Sequence, residues 1–370
     1  MDKKLLVLGI GPAQVDLIKI AKEMGLTVYA CAHSSAGPGR ELVDDFRQID
    51  IKNQEAVKDY AKEMDVDFIY TMALEFAVPT ISKVSEELGL PTFCSTESLS
   101  KFTSKARWRE ILGDLEGNVR HQSGHSLEAF QSWDIYPAII KPVDSSGQRG
   151  VHKVDNYDQV KDIFDESIKH SSIKELIMED YIDGPEVSVN SFMYKGELAF
   201  AIVSDRISYS EYPGGIIKEH HIPSKITSDE MEEKIKFLVG EVNKKMGFEN
   251  GHVYFQLKIQ DNEPYVIEFT PRFDACHMWR LIQVSTGLDL RRVSLEVLAT
   301  GRSSSLENYE YSLKAHTTRF ISDKPATIVD KSNYDIPENT LYLEWYYNDG
   351  DKVNTITGYM EKVGYMIIAE

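Results

Sequence analysis

Apolar and polar positions fall into regular blocks from the first residues onward. Residues 4–10 form a short, nearly continuous apolar run, the pattern of a strand buried on both faces. Residues 16–24 follow with Leu17, Ile20, Ala21 and Met24 on one helical face, and Gly25 closes the segment. Residues 26–30 read as a second strand. The alternation continues through strands at 46–51, 68–71 and 90–93 and helices at 54–64 and 77–88. Strands and helices in strict alternation predict a Rossmann-like parallel α/β layer over residues 1–97.

The rhythm then changes. Residues 96–112 read as a helical stretch carrying Lys101, Lys105, Arg107 and Arg109, and a short helix is expected at 127–132. Strands are expected at 138–140, 176–180, 187–194 and 198–203, with a helix at 157–168 between them. A Gly-, Pro- and aromatic-rich loop spans 209–224, and a long amphipathic helix 228–246 ends at Gly247. Residues 251–274 read as a hairpin, with β-rich runs 252–259 and 265–269 around a turn at 260–264. Helices at 275–287 and 289–300 precede strands at 316–321, 341–347 and 362–368, a small β-rich tail.

The hairpin carries the first chemical signal. Glu268 lies among apolar residues, where a carboxylate needs a cation, a hydrogen-bond donor or a metal. A simple register places Gln256 opposite it. Strand alternation points Glu268, Thr270 and Arg272 to one face. Oxygen donors beside a guanidinium suit a place where phosphate and Mg2+ meet. A buried Glu268–Arg272 ion pair explains the same residues equally well.

Other stretches are compatible with nucleotide chemistry. Residues 144–150 are small, polar and glycine-bearing, so their backbone N–H groups could cradle a phosphate, although a plain hairpin turn fits as well. Glu179, Asp180 and Glu186 crowd two strand ends and could meet ribose hydroxyls or simply face solvent. The loop at 209–224 carries Lys218, His220 and His221. Adjacent histidines point opposite ways on a strand, which argues against one joint metal site. The first strand–helix turn reads Gly-x-Gly-x-x-Gln at residues 9–14, lacking the third glycine of a dinucleotide fingerprint, so NAD binding is disfavoured.

Composition narrows the function classes. At 370 residues the chain is long enough for two or three domains. A formal net charge of -18 disfavours nucleic acid and anionic membranes as partners. The three cysteines, Cys31, Cys94 and Cys276, lack metal-ligand spacing and suit a reducing, cytoplasmic setting. The apolar run near residue 4 is too short for a signal sequence or a span.

Taken in order, these features resemble the ATP-grasp superfamily, in the branch with biotin carboxylase, carbamoyl-phosphate synthetase, the purine-biosynthesis ligases and L-amino acid ligases. The resemblance rests on Lys105, the Ile-Ile-Lys-Pro run with the Ser/Gly loop at 139–151, the segment at 178–186, and Gln256 with residues 267–272. It implies an ATP-grasp core of a small subdomain at 98–178 with a glycine-rich lid and a large subdomain at 179–306. A β-rich C-terminal region at 307–370 completes the α/β and α+β chain. It implies that Lys105 and Lys141 hold the α- and β-phosphates and that Ser145, Ser146, Gly147 and Gly150 belong to the lid. Glu179, Tyr181 and Ile182 would meet adenine, and Glu186 the ribose. Gln256, Glu268 and Thr270 would hold Mg2+, with Mn2+ as a substitute, and Arg272 would steady the transferred phosphate. Gln256, Thr270 and Gln148 depart from the residues most common at their positions, leaving Glu268 as the one formal carboxylate of the metal set. Arg206, Lys218, His221 and Arg280 are candidates for the substrate.

The implied reaction is ATP-dependent activation of a small-molecule carboxylate as an acyl-phosphate, with release of ADP and joining to an amine. A bicarbonate-dependent carboxylase and a catalytically weak ATP-binding regulatory protein are the alternatives. Related enzymes are often dimers, so a homodimer is the expected assembly.

Overall fold

The computed structural model describes every residue except Met1, Ser146, Pro213 and Gly214. Its first layer grows from the apolar run. Strand β1 (Lys4–Leu8) is followed by α1 (Pro12–Glu23), β2 (Thr27–Ala32), β3 (Asp45–Gln48), α2 (Gln54–Met64), β4 (Phe68–Tyr70) and α3 (Val78–Leu88). The strands form one parallel sheet in the order β3-β2-β1-β4. Leu5, Leu6, Val7 and Leu8 are all fully buried, as a parallel strand covered on both faces requires.

Helix α1 begins four residues earlier than its apolar face suggested. Pro12 occupies the first turn, where its missing N–H costs nothing, and the Gln14 side chain accepts from the Gly11 N–H at 2.9 Å. The Gln14 amide also donates to the Met72 carbonyl. Gln14 thereby ties the first strand–helix turn to the segment after β4.

Residues 90–93 are not a strand. Gly89 caps α3 in a left-handed conformation and Pro91 offers no N–H to a ladder. Phe93 packs instead against Tyr70 and Phe192. The basic helical stretch is two helices, α4 (Thr96–Phe102) and α5 (Lys105–Leu112), broken because the Ser104 hydroxyl caps the second.

A second, antiparallel sheet contains β5 (His121–Gly124), β6 (Ala138–Pro142), β7 (His152–Val154) and β8 (Leu176–Asp180), in the order β5-β8-β6-β7, with α6 (Tyr157–Ser167) against it. Phe130, Ile140, Val160 and Met178 build its separate core.

The third sheet is the scaffold of the molecule. It comprises β9 (Glu186–Tyr194), β10 (Glu197–Ser208), β11 (Ile217–Ile222), β12 (Gly251–Gln260), β13 (Glu263–Thr270), β14 (His316–Asp323), β15 (Thr340–Trp345) and β16 (Glu361–Ala369). The eight strands run β13-β12-β9-β10-β11-β14-β16-β15. Helix α7 (Asp229–Met246) covers β9, β12 and β13 with Ile235, Leu238, Val239 and Val242. Helices α8 (Met278–Thr286) and α9 (Leu290–Thr300) join this sheet to α1 through one shared apolar core.

Three expectations change here. The loop at 209–224 contains β11, whose Ile217, His220 and Ile222 are buried between β10 and β14. The helix expected from 275 starts only at Met278, because the Asp274 carboxylate accepts from the Cys276 and Met278 N–H groups and His277 is left-handed. The β-rich tail continues the large sheet rather than standing apart.

Candidate active site

The β12–β13 hairpin turns on Asp261 and Asn262, both with positive φ, the geometry of a two-residue hairpin turn. Its register places Gln256 directly opposite Glu268 and Tyr254 opposite Thr270. The pairing slips by one residue after Gln256, leaving Ile267 as an extra residue on β13. Such a bulge re-aims its neighbours. Ile267, Glu268 and Thr270 all line a cleft of about 440 Å3 beneath the second sheet, and Phe269 packs the other way against Trp108 and Phe255.

Glu268 is not a buried partner of Arg272. Its side chain is 46% exposed to the cleft, with Oε1 4.0 Å from Lys105 Nζ. Arg272 pairs with Glu75 at 2.9 Å and donates to the Phe273 carbonyl, while its Nε has no partner. The Thr270 hydroxyl is buried and unpartnered.

Lys105 opens α5 and donates to the Ser145 carbonyl at 2.7 Å, tying the helix to the residue 144–150 loop. An adjoining cavity of about 320 Å3 lies between this helix, the loop and Glu268. Lys141, on β6, is buried with Nζ 2.7 Å from Glu179 Oε2. Arg109, one helical turn beyond Lys105, is fully buried and meets Glu179 Oε1 at 3.0 Å. Burial pushes the Glu179 carboxyl up, but Arg109 and Lys141 together bring it down to about 2. Burial pushes the Lys141 ammonium down, opposed by Glu179 and reinforced by Arg109 and Lys105.

This cluster corrects the reading of Glu179. Both its oxygens are engaged by cations, so its role is to hold Lys141 and Arg109 in place rather than to meet a base. Two cations against one carboxylate leave an excess positive charge, to which Lys105 adds. A polyphosphate is the natural ligand of such a well.

The remaining residues frame the cleft. Gly147 and Gly150 have positive φ, as does Gln148, which lies between them. The Ser145 hydroxyl is buried without a partner, and Ser146 lies outside the described residues. Between β8 and β9 the chain crosses from one sheet to the next. Gly184 passes so close to the Ile259 carbonyl that a Cβ would stand 1.8 Å from its oxygen. The Tyr181 ring lies under Lys153 at 3.8 Å, and the Ile182 carbonyl accepts from Lys258 at 3.2 Å. Glu186 pairs with Arg206 at 2.9 Å.

Of the four substrate candidates, Arg206 alone lines the cleft. Lys218 is exposed beside the Tyr209 ring. His221 sits between Asp205 and Glu219, which raise it to about 9 and fix it as a structural cation. Arg280 is bound to Asp16 at 2.7 Å and Tyr365 at 3.0 Å, docking the first layer onto the large sheet. Sequence reasoning missed Arg109, Glu75 and Lys258. The spacing of four from Lys105 was the available signal for Arg109, since such residues share a helix face.

The ATP-grasp family profile matches residues 135–278, a span that includes Lys141, the loop and the whole hairpin. That stretch is similar to an ATP-grasp domain. The chain is 29% identical over 213 residues to the ATP-grasp enzyme fsqD of Aspergillus fumigatus, covering 53% of this chain and 35% of that protein. It is 24% identical over 352 residues to the phosphoribosylamine–glycine ligase of Thermococcus kodakarensis, covering 87% of this chain and 78% of the ligase. The chain thus spans about a third of the fungal enzyme's length. The phosphoribosylglycinamide synthetase of Anaerococcus prevotii superposes with a TM-score of 0.82 at 22% identity, over 100% of this chain and 94% of that one. That likeness extends the fold of the ATP-grasp domain to its flanking layers. Among the described residues, no helix is long and apolar enough to cross a membrane.

Proposed function

We propose that the protein is an ATP-dependent ligase that activates a small-molecule carboxylate and joins it to an amine. The observation that carries this reading is the Gln256–Glu268 rung with Thr270 beside it, facing Lys105 across a cleft whose buried charges sum to positive. The Thermococcus phosphoribosylamine–glycine ligase supports the reaction class.

Lys105, Lys141 and the Arg109 behind it would offset the phosphate charge of ATP, and the residue 144–150 loop would cover it. The unpartnered Thr270 hydroxyl, the Gln256 amide oxygen and the Glu268 carboxylate fit Mg2+ as hard oxygen donors. When bound, the ion would offset further phosphate charge. Arg206 and Arg272 would orient the substrate carboxylate. Its oxygen forms a bond to the γ-phosphorus as the bond to the β–γ bridging oxygen breaks, giving an acyl-phosphate and ADP. The amine nitrogen then attacks the acyl carbon, phosphate departs with the acyl C–O electron pair, and the amine loses a proton. Positioning and charge neutralisation supply the acceleration, so no nucleophilic side chain is required.

A screen of carboxylates crossed with amines, read by ADP and phosphate release, tests the proposal. Release that needs both partners supports it. The single carboxylate at the metal position favours a second reading, a weakly catalytic ATP-binding regulator. Tight ATP binding with no release for any pair would favour that reading, and release driven by bicarbonate alone would indicate a carboxylase.

A further inference from the structure

We propose that His220, Asp274 and Cys276 form a second metal site, distinct from the Mg2+ position, that takes a divalent ion of the zinc class. One imidazole nitrogen, one carboxylate oxygen and the thiol sulfur all lie within 4.8 Å of one another. The three come from separate parts of the fold, β11 and the turn after β13. They lie near Arg206 and Tyr254, two residues that line the cleft.

Unmet hydrogen-bonding capacity is the second observation. His220 is fully buried, and neither ring nitrogen makes a well-aligned hydrogen bond, although the Asp205 backbone lies near the ring. Asp274 is 3% exposed; its Oδ1 accepts from two backbone N–H groups while Oδ2 has no partner. Orphaned polar atoms at this depth are costly, and several aimed at one point mark a missing common partner. Thr318, directly opposite His220 on β14, also has a buried unpartnered hydroxyl.

The donor chemistry selects the ion. A nitrogen, an oxygen and a sulfur suit zinc and its neighbours and do not suit Mg2+. Metal–ligand bonds of about 2.0–2.3 Å in a tetrahedron put donors about 3.3–3.8 Å apart, so the cluster needs to contract by about 1.5 Å at most. Burial pushes the His220 ring down to about 3, helped by Arg206 and Lys362, with a lesser opposing pull from the Asp205 backbone. Burial pushes both the Asp274 carboxyl and the Cys276 thiol up, and a bound cation reverses both. Lys362, 3.7 Å from the sulfur, assists thiol ionisation. Three protein ligands leave the fourth tetrahedral position for a water or another donor.

Cobalt titration of metal-free protein tests the site. The wild type is expected to bind about one Co2+ per chain with a near-ultraviolet sulfur-to-cobalt charge-transfer band, displaced by Zn2+. Cys276→Ser should abolish the band. His220→Ala should weaken binding more than roughly 100-fold, since loss of even an outer-sphere partner costs about 10–100-fold. Glu268→Gln should leave the band intact, separating this site from the ATP reading. The other cysteines, Cys31 and Cys94, are buried in other cores, so the wild-type spectrum speaks for Cys276 without any variant. Absence of the band in the wild type, or its persistence in Cys276→Ser, would overturn the proposal.

Discussion

Glu268 and Lys105 face each other across the cleft with 4.0 Å between carboxylate oxygen and ammonium nitrogen, although 163 positions separate them in the chain. Among the described residues neither has a closer charged partner. Glu268→Gln keeps the shape and removes the charge. ADP release at saturating Mg2+ should fall by at least about 100-fold, the scale on which metal-assisted charge stabilisation acts. Unchanged turnover would place the phosphate end of the site elsewhere.

The buried Arg109–Glu179–Lys141 cluster predicts a different phenotype. Glu179→Gln leaves two buried cations facing each other without compensation, and breaking such a group costs about 3–5 kcal/mol. Denaturant unfolding should show a large loss of stability with ATP present or absent.

The same cluster sets an acid dependence. Folding lowers Glu179 from 4.5 to about 2, so its contribution is complete above pH 4.5 and is lost as pH falls toward 2. Between those limits the wild type should lose stability more steeply than Glu179→Gln.

His221 supplies the opposite slope. Hydrogen bonds donated by its ring to Asp205 and Glu219 raise it from 6.5 to about 9, so its contribution is full below pH 6.5 and is lost as pH rises through 9. Thermal melts across that interval should flatten in His221→Gln, with no change in the apparent ATP affinity at neutral pH.

Arg280→Ala tests whether that residue serves substrate or architecture. It removes the bidentate partner of Asp16, which keeps the Trp279 indole and a longer contact to Arg291. Stability should fall by about 1–3 kcal/mol. The KM for any accepted substrate should stay unchanged; a raised KM would restore Arg280 to the substrate set.

The layered order of the fold was legible because periodicity reports burial directly. The four-stranded parallel layer and the Gln256–Glu268 register both follow from runs of Leu, Val, Ile and Phe at the spacing of two or of none. What escaped notice depended on partners distant in sequence. Glu179 reads as a free carboxylate until Arg109 and Lys141 are placed beside it. Arg280 reads as a substrate arginine until Asp16, 264 positions away, arrives from the first layer. β11 was hidden by Gly214, Gly215 and the two histidines, because their polarity masks a strand buried between neighbours. The cluster of His220 with Cys276 was invisible for the same reason: β11 and the turn after the hairpin meet only in space.

The continuity of the large sheet links Glu268 to residues far outside its own hairpin. β14 is the neighbour that covers β11, and β16 and β15 lie beyond it. Until residues 316–369 are synthesised, β11 presents a naked row of N–H and C=O groups to any passing strand. A polypeptide cut before His316 would therefore keep every phosphate-facing residue and still be sticky.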